Sequence, residues 1–408
     1  TVTTTSTGGQ NSNCLLASHT APMSESKLQL LTPFKMGDLT LQNRVVLAPL
    51  TRARCGPNKD PFHIENSLPN ELHQLYYEQR ATGGLIITEA TAISVEGSGW
   101  QYAPFITTKS HVDAWKKVVD RVHKKGGKIF LQLWHMGRQS HSSFHPDTKD
   151  IVSASDIAIG PSAKAKTIAG EYAPFEKPRA LTVEQIKQTV LDYENASKNA
   201  KAAGFDGVEI HGANGYLIDQ FLQSSSNVRT DNYGGSFTNR MRFLVEVTEA
   251  CMKVFPANRI GIRLSPNGNY GGMGAKDNNE LFPFVASKLE KYGLAYLHIM
   301  DGLGFGYHNK CPIVTVADIR RVFSGPIIAN VGLTRDIAEG MLRSGATDLA
   351  CFGRLYMSNP DLPERFANNW PLAAEPPYEY WWKTPGAKGY TDYPFYKAEA
   401  KETKEEKK

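Results

Sequence analysis

Three side chains within six residues make up the most reactive stretch of the chain: His211, Asn214 and Tyr216 in the segment HGANGYLIDQFL. An imidazole and a carboxamide three positions apart, in a Gly-flanked turn, offer two converging N–H donors. Such a pair suits a carbonyl oxygen that gathers negative charge. The phenol of Tyr216, two residues on, is placed to act as a general acid. A lone histidine here would more often be a satisfied core residue, so its company decides. Thr51, Gln132, Arg263 and Arg354 also stand at the ends of apolar runs, adding a hydroxyl, a second amide and two guanidiniums. Packing alone does not account for that gathering.

The runs themselves recur eight times: RVVLAPL (44–50), GLIITEA (84–90), KIFLQLW (128–134), GVEIHG (207–212), RIGIRLS (259–265), LAYLHIM (294–300), PIIANV (326–331) and LACFGR (349–354). Each is short, β-branched and nearly continuously apolar, as parallel strands buried on both faces must be. Amphipathic segments alternate with them, among them LPNELHQLYYEQRA, HVDAWKKVVDRVHKK, TVEQIKQTVLDYENASKNAKAAG and SFTNRMRFLVEVTEACMKVF. Thr182 and Gln185 form an N-cap and N3 pair, and Gly204 a stop. Eight βα units predict an α/β fold, a single closed (β/α)8 barrel with its active site at the C-terminal strand ends. From Trp134 to Gly207 the chain is much longer than one helix needs. The excess, roughly 135–180, is expected as a long excursion over the barrel mouth.

Composition agrees and excludes much else. The 408 residues are 41% hydrophobic and 10% aromatic, and the net charge is only +5. That is a globular chain with no case for nucleic acid. No apolar run is long enough to span a membrane. Five scattered cysteines without a C-x-x-C argue against a disulfide framework, a zinc knuckle or an iron–sulfur cluster. Residues 1–27 are read as a flexible tail without a secretory signal, 28–396 as the barrel and 397–408 as a charged tail, with a cytoplasmic location. His141 and His145, four apart, lack an acidic or Cys companion for a metal. The glycines of Gly302-Leu303-Gly304-Phe305-Gly306 lack the helix and acidic residue of a dinucleotide fingerprint.

The chain resembles the Old Yellow Enzyme family of flavin-dependent ene-reductases over about residues 28 to 396. The matching segments, in order, are TPFKMGDLTLQNRVVLAPLTR, LQLWHMGRQSH, HGANGYLIDQFL, RTDNYGGS, GIRLSP, FGRLYMSNPDL and GYTDYP. The resemblance implies noncovalent FMN, with NADPH or NADH as hydride donor. Gly353 and Arg354 match the family's phosphate positions, with Val331 and Gly332 beside them; many relatives have Gly or Ala where Val331 stands. Arg263 and Gln132 are expected at the pyrimidine edge, Pro49, Leu50 and Ala90 through their backbones, and Thr51 near C4=O as in the Thr-bearing branch. His211 and Asn214 would hold an enone oxygen while Tyr216 protonates the α-carbon; the plant oxophytodienoate-reductase branch often has His where this chain has Asn214. Trp100, Trp134 and Trp382 are read as substrate-pocket walls. The implied reaction is ping-pong reduction of α,β-unsaturated aldehydes or ketones by a monomer or homodimer. The rivals are a cluster-bearing dienoyl reductase, a flavin-free aldolase or isomerase (which would want a strand-end Lys), a flavin isomerase and an FMN-binding protein without turnover.

Overall fold

Each of the eight apolar runs forms a parallel strand: Val45–Leu47, Leu85–Ile87, Ile129–Trp134, Gly207–Gly212, Ile260–Leu264, Tyr296–Met300, Ile327–Asn330 and Leu349–Phe352. Here they are barrel strands one to eight. Neighbours in sequence pair in parallel, and strand eight pairs with strand one through Cys351 and Val46, so the barrel closes. The computed structural model describes residues 27–56, 67–302, 306–382 and 386–396. Apart from Lys27, the two expected tails lie outside them, as do residues 303–305 of the glycine-rich loop.

Alternation along the strands explains how short segments carry two cores. Val45, Leu47, Leu131, Leu133, Val208 and Ile210 pack outward against the helices. Val46, Leu85, Ile87, Phe130, Tyr296 and Ile328 point into the barrel. The inward set is completed by an element the sequence reading did not foresee. Phe34–Met36 and Leu39–Leu41 form an antiparallel hairpin whose Met36, Leu39 and Leu41 are buried among the inward residues. Its turn lies against the start of strand five, where Asp38 pairs with Arg259 at 2.7 Å. The hairpin therefore stoppers the N-terminal end of the barrel.

The helix Val183–Ala202 begins as its residues dictate. The Thr182 hydroxyl accepts from the Gln185 N–H, and the Gln185 side chain accepts from the Thr182 N–H. Gly204 follows in the left-handed region at φ +91°. The segment expected as one helix over 236–255 is two, Phe237–Arg240 and Arg242–Met252. The excursion after strand three is more ordered than a loop. It holds a parallel pair, Val152–Ser153 with Arg179–Ala180, and an antiparallel pair, Lys164–Lys166 with Tyr172–Pro174.

Candidate active site

At the C-terminal strand ends a cavity enclosing about 1040 Å³ out to its open mouth brings together Pro49, Leu50, Thr51, Ala90, Gln132, His211, Asn214, Tyr216, Arg263, Arg354, Trp100, Trp134 and Trp382. These are thirteen of the sixteen residues singled out by sequence. The other three, Val331, Gly332 and Gly353, are not on its wall. They follow directly on the ends of strands seven and eight. Arg52, Tyr270, Met300, Met357 and Trp381 also line the cavity and had been given no role. Met300 closes strand six and was open to the same strand-end argument. Tyr270 and Trp381 sit in irregular chain that periodicity does not reach.

The turn after strand four is built to aim its side chains. Asn214 has φ +57°, a left-handed conformation that Asn tolerates, and Gly215 follows at +72°. A Cβ on Gly215 would lie 2.6 Å from Met273 Cγ and 2.9 Å from the Tyr270 carbonyl oxygen, so only glycine fits. The backbone of Asn214 is held at both polar atoms. Its N–H donates to Ser265 Oγ at 2.8 Å, and its carbonyl accepts from Gln139 Nε2 at 2.6 Å. The Gly215 N–H donates to the buried Asp219 carboxyl at 2.8 Å. Burial pushes the pKa of Asp219 up to about 7.

His211 is 4% exposed and accepts the Ala213 N–H at Nδ1, 3.3 Å away. With Nδ1 an acceptor, the neutral ring carries its proton on Nε2. Burial, and next the positive charge of Arg263, hold its pKa well below the ordinary histidine value, so the ring is neutral. Tyr216 packs edge-on against His211 at 4.9 Å between centroids and against Trp134 at 5.1 Å. Burial raises its phenol far above the ordinary value, which keeps the proton on oxygen. A neutral donor and a protonated phenol thus stand side by side.

For the FMN implied by the sequence resemblance, the residues present fit at the barrel centre. Gln132 Oε1 and Arg263 Nε are buried and find no hydrogen-bond partner among the described residues. Leaving such groups unpaired costs about 1–3 kcal/mol each, more for a charge. Arg263 is less bare than its sequence position suggested, because Nη2 donates to Asn330 Oδ1 at 2.9 Å. At the end of strand seven, Val331 has φ +81° and Gly332 +75°. A β-branched residue in that region is strained by about 1–3 kcal/mol. Arg354 pairs with Glu375 at 3.1 Å and lies over the Trp381 ring, so a phosphate there must share it.

The aromatic wall comes from elsewhere. Trp100 meets Trp382 edge-on at 5.8 Å, and Trp381 meets Trp382 at 5.7 Å. The strap carrying both tryptophans is pinned by Arg52, 1% exposed, whose guanidinium donates to the carbonyls of Trp381, Tyr380 and Gly389. The histidines of the excursion are engaged otherwise: His141 with Ser143 and Glu176, His145 with Ser140. Among the described residues no three His, Cys, Asp or Glu side chains gather as a metal set.

Comparison with known proteins identifies the family and the fold. Residues 29–373 match the NADH:flavin oxidoreductase / NADH oxidase family. The chain is 42% identical to 12-oxophytodienoate reductase 2 of Arabidopsis thaliana, covering 91% of this chain and 96% of that one. It is 41% identical to 12-oxophytodienoate reductase 1 of Oryza sativa subsp. japonica, over 90% and 93%. Among solved structures, morphinone reductase superposes with a TM-score of 0.82 at 39% identity, over 91% of this chain and 97% of that one. The old yellow enzyme homologue from Zymomonas mobilis superposes with a TM-score of 0.84 at 39% identity, over 90% and 100%. Morphinone reductase is also known in complex with tetrahydroNAD, at 40% identity and a TM-score of 0.81, over 90% and 98%.

Proposed function

Since the chain belongs to the NADH:flavin oxidoreductase / NADH oxidase family, FMN-dependent oxidoreductases of the Old Yellow Enzyme type, we propose that it reduces the activated C=C bond of α,β-unsaturated aldehydes and ketones by a ping-pong reaction. When bound, FMN supplies the hydride carrier between NAD(P)H and the β-carbon of the substrate. All other steps fall to residues of the cavity. His211 Nε2–H and the Asn214 carboxamide hold the substrate oxygen and meet the charge that develops on it. Preorganised donors of this kind contribute about 10²–10³ in rate each. Tyr216 delivers its proton to the α-carbon. Trp100, Trp134 and Trp382 enclose a flat ligand.

FMN itself is held, on this reading, by Gln132 and Arg263 at its pyrimidine edge and by Pro49, Leu50, Thr51 and Ala90 along the ring. Val331, Gly332, Gly353 and Arg354 take the phosphate. The single observation that carries the proposal is the pairing of a neutral His211, its Nδ1 already occupied, with a protonated Tyr216 at 4.9 Å. One group can only donate a hydrogen bond into the cavity, and the other can give up a proton there. The relatives are named for 12-oxophytodienoate and morphinone, both ketones, and we extend that substrate class to this chain.

The test is an anaerobic mixture of the purified protein with NADPH, then cyclohexenone, followed at the flavin absorbance band. Bleaching by NADPH and recovery on adding the enone are expected. A band that bleaches and never recovers with the enone would overturn the substrate class.

A further inference from the structure

Directly beneath the cavity lies a carboxylate that the proposed reaction leaves idle. Glu209 is wholly buried in strand four, two residues before His211, and so faces the same barrel interior one layer lower. An isolated charge there would be costly. Its two oxygens are each met. Oε1 accepts from Gln132 Nε2 at 2.7 Å, directly across the pair of strands three and four, and Oε2 is bonded to His298 Nδ1 at 2.8 Å. Behind burial, Glu209 is the largest electrostatic influence on Arg263 and raises its proton affinity.

That contact turns the NH2 of the Gln132 amide toward Glu209 and its carbonyl oxygen away from it. The consequence is on the other side of that amide. Oε1, buried and without a partner among the described residues, is left as an acceptor at the cavity wall. A glutamine free to turn over could offer either face; this one offers an acceptor only. Beside it Arg263 offers only donors, with Nη2 anchored by Asn330, which in turn donates to the Cys351 carbonyl at 2.9 Å. One acceptor next to one donor matches an imide N–H beside a ring carbonyl.

Resting on the FMN placement above, we propose that Glu209 is a positioning residue: it fixes the orientation of the Gln132 amide so that the site accepts from the flavin imide N3–H. Two glutamines facing each other would satisfy either orientation, so Glu209→Gln releases the lock while preserving shape.

The experiment titrates full-length wild-type and Glu209→Gln apoprotein with FMN and with 3-methyl-FMN, whose imide nitrogen carries no proton, reading quenching of flavin fluorescence. Wild type is expected to bind 3-methyl-FMN about tenfold more weakly than FMN, the size of one buried hydrogen bond. Glu209→Gln is expected to lose most of that preference. A general loosening of the barrel would weaken both ligands alike and leave their ratio unchanged. An unchanged ratio in Glu209→Gln therefore overturns the role of Glu209 while FMN binding stands. Equal affinities in wild type overturn the placement of Gln132 at the imide itself. Should the variant not fold, wild-type holoenzyme with 15N-labelled FMN decides. Coupling across a hydrogen bond from N3–H to the Gln132 side-chain carbonyl is expected; a Gln132 amide found donating to the ring overturns the proposal.

Discussion

The two sides of the cavity are held by different means. Gln132, His211 and Arg263 stand on barrel strands, at most 6% exposed, with backbones locked in the parallel ladder. Trp100, Tyr270, Trp381 and Trp382 stand in irregular chain beyond the strands, and Tyr270 is 49% exposed. One side is positioned by the hydrogen bonds that close the barrel, the other by loop contacts such as those of Arg52. Groups that must meet a reacting atom within tenths of an ångström belong on the first side. Groups that sort ligands by shape tolerate the second.

If that division is right, substitutions on the two sides should change different kinetic quantities. In the turn that strand four carries, Tyr216→Phe is expected to leave NADPH-driven flavin bleaching within about twofold while slowing recovery with an enone by about 10²–10⁴, the range for a general acid. Stopped-flow measurement of the two half-reactions separates them. Equal loss in both would remove the proton from Tyr216. On the loop side, Trp382→Ala is expected to raise KM for flat cyclic enones about three- to tenfold with kcat little changed, since an aromatic contact contributes about 0.5–1.5 kcal/mol. A hundredfold drop in kcat would mean that the wall also positions the reacting carbon.

The smallest effect concerns how firmly the turn after strand four is held. Asp219 anchors the turn bearing Asn214, and its carboxyl titrates near 7 in the fold against 3.8 for the free group. The folded state therefore favours the protonated form. Its contribution is full below about pH 4 and is lost as pH rises through 7. Between pH 5 and 8, Tm of the wild type is expected to fall by a few degrees more than Tm of Asp219→Asn. Parallel pH profiles would show that the buried carboxyl carries no such linkage.

How far the sequence could be read follows the same division. Continuous apolar runs announce buried parallel strands, and the polar residue closing each run is then conspicuous, as at Gln132, His211 and Arg263. The sense of a strand interior is harder to see. Glu209 is one polar residue in the run GVEIHG, and its partners Gln132 and His298 are 77 and 89 residues away. The hairpin at 34–41 escaped notice because strands of three residues carry no readable period. Trp381 and Tyr270 reach the cavity through tertiary contacts of irregular chain, for which local pattern has no signal. The strain at Val331 is a backbone property that residue type alone would have argued against.

The hairpin that stoppers the N-terminal end has a consequence for traffic. Met36, Leu39 and Leu41 fill the barrel axis from below, so among the described residues the cavity is reached from the strand-end side, where the tryptophan strap stands. Two reagents that the proposed reaction lays on one surface behind that mouth must take turns there. On the proposed reaction, the order of events is then a property of the architecture before it is a property of the chemistry.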